Sequence, residues 1–196
     1  GATVMIDGFG GPGGMATGLI VALRDLGSKN LTMISNTAGI ATAMGFGSLP
    51  GTHPIDHSLL IENHQINKVI AAFPVTSSPS NPSVFELAYQ RGEVDLELVP
   101  QGTLAERIRA AGVGIPAFYT PTGAGTSIAI GKDVRVLNGR ECILEYALWS
   151  DFAFIRARKA DSLGNLVYKG TSRNFNAVMA MAARTTIAEV DEVVSA

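Results

Sequence analysis

Cysteine is nearly absent from this chain: Cys142 is the only one in 196 residues. A single thiol excludes an intramolecular disulfide framework and a cysteine-rich zinc site. Charge is scarce too, with Asp, Glu, Lys and Arg making up 16% of the residues, against roughly a quarter in an average soluble domain. Fifteen Lys and Arg stand against seventeen Asp and Glu, a formal net charge of -2. There is no basic excess to hold a phosphate backbone, so no nucleic-acid partner is expected. No apolar run reaches the roughly 18 residues of a membrane span, and no charged-then-apolar leader opens the chain, so a cytoplasmic location is expected. Catalytic signatures are missing as well. There is no G-x-S-x-G elbow and no G-x-x-x-x-G-K-[ST] loop, and Gly131-Lys132 runs into Asp133.

What is present is apolar and rich in turns. Mean hydropathy is +0.24, and the length suits one domain over residues 1–196 with a full core. The chain starts at Gly1 and stops just after a strand pattern, so both ends are expected to be trimmed. Low charge on such a chain suggests a surface covered by a partner. The 22 glycines cluster at 8–18, 45–51, 112–114 and 123–131, which marks turns.

Between them, strand and helix patterns alternate. Thr3–Ile6 reads as a strand, and Met15, Leu19, Leu23 and Leu26 as a helix face closed by Gly27. Leu31–Ile34, Val69–Phe73, Leu96–Val99, Phe152–Arg156 and Thr185–Val190 read as further strands. Asn81-Pro82 is expected to start one helix, Thr103 and Glu106 to cap another as a T-x-x-E box, and Asn176–Ala183 to be a third. Asn138-Gly139 signals a hairpin. The expected fold class is α/β: an open, mostly parallel sheet with helices on both faces and a small β-hairpin element.

Several motifs carry candidate chemistry. Gly8, Gly10 and Gly13 spell G-x-G-x-x-G between a strand and a helix, the context of a dinucleotide site. The second half of that fingerprint fails, because the next strand ends in Ser35-Asn36 and not in an acid, and Pro12 removes an N–H from the loop. A tight turn explains the loop without a ligand; an oxyanion- or acyl-binding loop is the functional alternative. His53 and His57 flank Asp56 at metal-ligand spacing, but Pro50, Gly51 and Pro54 make this a solvated loop, and no metal is expected. His64 reads as a polar position on a helix surface, and Cys142 as a packed small residue. Gln101-Gly102-Thr103 lies where a strand ends and a helix begins, the place where open parallel sheets bind ligands. Capping explains Thr103 but not the polar Gln101 beside it.

At this stretch a resemblance enters. VPQGTLAERIRAAGVGIPAFYTPTGAGT, over 99–126, is similar to the signature region of the A (α) subunit of family I 3-oxoacid coenzyme A-transferases. The likeness continues through NGRECILEYALWSDFAFIRARKADSLGNLVYKGTSRNFNAVMAMAA, and DGFGGPGGM and LTMISNTAG resemble the family's glycine-rich entry loop and its next strand and turn. It is weakest over 40–67 and 74–83. The resemblance implies an α/β sandwich that moves CoA between carboxylic acids in ping-pong fashion, through a glutamate nucleophile, an anhydride and an enzyme–CoA thioester. The family's glutamate lies in a Ser-Glu-Asn-Gly motif of the B (β) subunit, which this chain lacks. The resemblance therefore implies no catalytic residue here, a β-subunit partner in an assembly such as A2B2, acyl-CoA and carboxylic acid substrates, and no cofactor besides CoA as substrate.

Residue by residue, Gln101, Gly102 and Thr103 match the turn that faces the partner's glutamate, with Gln101 as a hydrogen-bond donor. Asn36 matches the first of two asparagines in a substrate-side turn; here the second is Thr37. Backbone N–H groups of Gly10 and Gly11 would aid an oxyanion. Asp7 replaces a glycine of the entry loop and would place a negative charge near an acid-binding site. Two alternatives stand beside this reading. One is a sugar-phosphate isomerase-like enzyme complete in one chain. The other is a non-catalytic acyl-CoA-binding module, for which Asp7 and Thr37 are the motive.

Overall fold

The computed structural model describes residues 1–7, 9, 14–40 and 54–196. In chain order these form β1 (Thr3–Ile6), α1 (Thr17–Leu26), β2 (Leu31–Thr37), α2 (Ser58–Glu62), β3 (Ile66–Phe73), α3 (Val84–Gln90), β4 (Asp95–Leu98) and α4 (Gln101–Gly112). Then follow β5 (Ala117–Thr120), β6 (Val134–Leu137), β7 (Arg140–Tyr146), β8 (Ser150–Asp161), β9 (Leu166–Val167), α5 (Asn176–Met179) and β10 (Ala183–Val194).

The main sheet runs β10-β8-β1-β2-β3-β4, with β9 beside β8. Every pairing along that order is parallel, and only β9 is antiparallel. Successive strand residues point to opposite faces, and both faces are apolar. Val4, Ile6, Met33, Val69, Ala71 and Phe154 pack on one side with Ile20 of α1, Leu60 of α2 and Phe85 of α3. Met5, Ile34, Ile70, Ala153 and Ile155 pack on the other with Leu104 and Ile108 of α4 and Met179 of α5. This double burial is why the strands read as nearly continuous apolar runs. The expected α/β class, with helices on both faces, is the observed one.

A second, antiparallel sheet has the order β5-β7-β6. Its β6–β7 hairpin turns at Asn138 (φ 51°) and Gly139 (φ 72°), the left-handed pair that a two-residue hairpin needs. The hairpin was expected; β5, which completes the sheet beside β7, was not. Cys142 is packed in β7, as expected. The expected cap of α1 is also found: Gly27 has φ 70° and returns its N–H to Arg24 O.

Three helix ends differ from expectation. The box at α3 is built by Ser83 and Glu86, not by Asn81 and Pro82: Ser83 Oγ accepts from Glu86 N (3.2 Å), and Glu86 Oε2 accepts from Ser83 N (2.8 Å). α4 begins at Gln101, two residues before the expected cap, with Pro100 as N-cap and no side-chain cap at all. Thr103 thus sits inside the first turn, and Glu106 is bound to Arg109. α5 stops at Met179, because the parallel pairing of β10 with β8 starts at Ala183 opposite Ser150 and Ser150 N donates to Ala182 O. Sheet pairing overrides the helix propensity of Ala180–Ala183.

Candidate functional site

The chain winds from β1 outward to β4, then returns to place β8 on the other side of β1. Strand winding therefore reverses between β1 and β8, and the carboxyl ends of these strands border the crevice where such sheets bind ligands. Asn36 lies at the end of β2, buried at 4% exposure. Gln101 follows β4 and opens α4. Its Nε2 reaches past the end of β3 and donates to Asn36 Oδ1 at 3.0 Å. Two residues 65 apart in the chain, both singled out by the sequence, meet here. The bond uses one of the two amide N–H donors of Gln101; the side chain is exposed, so the second can meet a ligand oxygen.

The helix end around Gln101 adds to this. Pro100 cannot cap with its side chain, no acidic residue occupies the first turn, and nothing lies within 4 Å of where a Cβ on Gly102 would be. The first N–H groups of α4 have no intrahelical acceptor and carry the positive end of the helix dipole. Such an end attracts a carboxylate or a developing oxyanion. Thr103 is 3% exposed, and its hydroxyl has no hydrogen-bond partner. One turn along, Ala105 borders a cavity of about 290 Å³ that is also lined by Phe9, Asn174, Phe175 and Val178. A polar donor set thus sits beside an apolar hollow, as small-molecule sites commonly have it.

The turn bearing Asn36 is propped from behind. His57 Nε2 lies 2.9 Å from Thr37 O; since a carbonyl only accepts, Nε2 carries the proton. Asp56 (2% exposed) accepts from Ser58 N at 2.8 Å. This corrects the solvated-loop reading: Asp56 and His57 are buried, His57 braces the end of β2 and Asp56 binds the start of α2, while His53 lies outside the described residues. His64 is exposed as expected, but it lies past the end of α2, in the left-handed conformation (φ 51°). Among the described residues no three His, Cys, Asp or Glu side chains gather as a metal site.

A chain of charges holds α4 in place. Lys68 of β3 pairs with Glu97 of β4 (2.8 Å), Glu97 with Arg107 of α4 (2.8 Å), Arg107 with Glu145 of β7 (4.0 Å), and Glu145 with Lys132 (2.5 Å). Arg107 Nε also donates to Tyr146 O at 2.8 Å. Burial pushes the Glu97 carboxyl up, but its hydrogen bonds from Lys68 and Arg107 outweigh that and hold it below the usual carboxylate range. The helix whose start carries Gln101 is therefore tied to both sheets.

Of the other sequence candidates, Gly10 and Gly11 lie outside the described residues. Asp7 is 1% exposed and accepts from Asn176 N at 3.0 Å, so its charge is buried and engaged. Asn176, which the sequence reading did not single out, is a junction of hydrogen bonds at this end of the sheet; its only sequence signal was its place in the resembling segment SRNFN.

The model of the coenzyme A transferase family matches residues 1–196. The chain belongs to the coenzyme A transferase family. It is 45% identical over 196 residues to the A (α) subunit of the probable succinyl-CoA:3-ketoacid coenzyme A transferase of Bacillus subtilis, covering 100% of this chain and 75% of that one. To the A (α) subunit of the 3-oxoadipate CoA-transferase of Pseudomonas putida it is 45% identical over 194 residues, 99% of this chain and 77% of that one. The fold is shared with glutaconate coenzyme A-transferase from Acidaminococcus fermentans, at TM-score 0.74 and 19% identity, over 100% of this chain and 63% of that one.

Proposed function

We propose that this chain is the α-subunit of a 3-oxoacid CoA-transferase, moving CoA from succinyl-CoA to an acetoacetate- or 3-oxoadipate-like acid together with a β-subunit, in an A2B2 or similar cytoplasmic assembly. The thioester carbonyl of succinyl-CoA is attacked by a glutamate carboxylate of the β-subunit, which expels CoA as thiolate and leaves a mixed succinyl–glutamyl anhydride. The thiolate then attacks the glutamyl carbonyl, which releases succinate and leaves a glutamyl–CoA thioester. The 3-oxo acid runs the same two steps in reverse and departs as its CoA ester. CoA is substrate throughout, and no further cofactor is needed.

In this reading the present chain supplies electrostatics and positioning. The free N–H of Gln101 and the N–H groups at the start of α4 meet the carbonyl oxygen as it becomes an oxyanion, with Asn36 fixing the Gln101 amide. Gly102 keeps the approach clear. Thr103 offers its unpartnered hydroxyl, and the family resemblance adds the backbone N–H groups of Gly10 and Gly11 as further donors to the oxyanion. The observation that carries the reading is the Gln101–Asn36 amide pair at an uncapped helix start, in a chain with 45% identity to the two transferase subunits from Bacillus and Pseudomonas. Membership of a transferase family leaves the isomerase alternative without support. The engagement of Asp7 by Asn176 removes one motive for a non-catalytic module.

The test is co-expression with a partner chain carrying Ser-Glu-Asn-Gly. The assembled pair should form the 3-oxoacyl-CoA in dependence on succinyl-CoA, each chain alone should be inert, and the glutamyl–CoA thioester should be trappable on the β-subunit. Absence of CoA exchange with every dicarboxylic and 3-oxo acid pair would overturn the proposal.

A further inference from the structure

We propose that His57 is a positioning residue for acyl transfer: its bond to Thr37 O fixes the end of β2, and with it the Asn36 amide that orients Gln101. This rests on the proposed function, in which Gln101 meets the oxyanion. β1 accompanies β2 as far as Ile34, registered opposite Met5, while β3 continues beside it to Thr37, opposite Phe73. Among the described residues, Ser35, Asn36 and Thr37 therefore have a paired strand on one side only. His57 enters where that ladder ends. It is fully buried, and its Nε2 lies 2.9 Å from Thr37 O. Asn36 is itself buried and accepts from Gln101 Nε2 at 3.0 Å.

The two contacts come from opposite faces of the sheet. Ile34, two residues before Asn36, packs with α4 on one face, and Gln101 opens that helix. His57 leads into α2, whose Leu60 packs with Met33 on the other face. The end of β2 is thus held between the starts of two helices. The fit on the α2 side is close: a Cβ on Gly39 (φ 84°) would stand 2.6 Å from Ser58 N. Asp56 Oδ1 accepts from Ser58 N, and Leu60 N donates to His57 O, so the backbone that carries the imidazole is itself fixed. Packing alone does not call for a histidine here. Its Nδ1 has no partner among the described residues, and a buried ring nitrogen left unpaired is unfavourable. What the imidazole adds over an apolar side chain of like size is the one bond to Thr37 O. A donor that must meet a developing charge depends on such support, because small displacements lower the rate steeply.

Two variants test this. His57→Phe removes the donor and fills the space; His57→Gln restores an N–H at similar reach. Assayed with the β-subunit, His57→Phe should lower kcat by about tenfold, with KM for the CoA thioester within about twofold. His57→Gln should recover most of that loss. In a Gln101→Ala background His57→Phe should cost nothing further, because both act through one amide. Unchanged kcat per folded molecule in His57→Phe overturns the proposal, and so does an equal loss in both backgrounds or in His57→Gln. Should His57→Phe fail to fold, His57→Asn, whose shorter amide does not reach Thr37 O, is held to the same expectations. If the wild-type pair transfers no CoA, the functional reading falls. Exchange of the Gln101 side-chain amide, followed by NMR on the full chain, then decides on the brace: faster exchange in His57→Phe supports it, and an unchanged rate overturns it.

Discussion

Helices α3 and α4 carry the same local signature and treat it in opposite ways. Each has a hydroxyl followed three residues later by a glutamate: Ser83 and Glu86 in one, Thr103 and Glu106 in the other. In α3 the box closes, and Glu86 also accepts from Thr76 N at 3.0 Å. In α4 the helix starts early, at Pro100-Gln101, so the hydroxyl falls within the first turn and the glutamate is left to Arg109. A closed box spends the free donors of a helix start on the protein itself. An open start keeps them, and the open one is where β4 delivers Gln101 to Asn36. In the proposed function, that difference separates a helix that is only structural from one that faces the acyl group.

The hardest way to break this comparison is at its functional end. Gln101→Ala removes the amide and should lower kcat of the assembled enzyme by about a hundredfold, with an unchanged thermal midpoint because the side chain is exposed. A small effect on turnover would mean that the open start serves no chemistry. Arg107→Ala attacks the anchoring of α4. It leaves Glu145 (3% side-chain exposure) without one of its two cations and Tyr146 O without its donor. Breaking a buried pair typically costs about 3 kcal/mol, read from urea unfolding; a loss below about 1 kcal/mol would mean the network holds nothing. Gly102→Asp sharpens the contrast through opposite signs. An acid in the first turn complements the dipole and should stabilise by about 0.5 kcal/mol, while it occupies the anion position and lowers turnover by about tenfold. Stability and activity falling together would contradict an anion-binding helix start.

The parallel sheet was legible because burial on both faces leaves apolar runs bounded by glycine and proline. Gln101 stood out in the sequence as a polar group at a strand end with no capping role, whereas Asn36 entered only through the family resemblance; their contact is what the structure adds. The helix starts were misread for one reason: T-x-x-E and N-P are local signals, and where a helix begins depends on how the chain leaves the preceding strand. Pro100, with φ -55° and ψ 138°, turns the chain at once, so the box two residues later comes too late. His57 and Asn176 were missed because their partners, Thr37 O and the ends of the glycine segment, are distant in sequence. No periodicity reports a hydrogen bond across 169 residues. β5 was missed because its four half-buried residues lack a strong period-two pattern.

The smallest effects separate the two helix starts most cleanly. Ser83→Ala opens the box of α3 and should cost about 1 kcal/mol. Thr103→Val removes a buried hydroxyl that has no partner, keeps the shape, and barely changes helix propensity. It should be neutral or stabilising, by up to about 1 kcal/mol. The pH dependence separates them further. Burial pushes Glu86 up, but the hydrogen bonds from the Ser83 and Thr76 backbone and from the Ser83 hydroxyl outweigh it, so its carboxyl sits below the usual range. A lowered folded pKa makes the contribution complete above the unfolded value, about 4.3, and lost as pH falls through the folded one. The penalty of Ser83→Ala should therefore shrink between pH 7 and pH about 3, whereas the effect of Thr103→Val should not move with pH. If Thr103→Val costs as much as Ser83→Ala and fades alongside it, Thr103 caps its helix in solution and the start of α4 is closed.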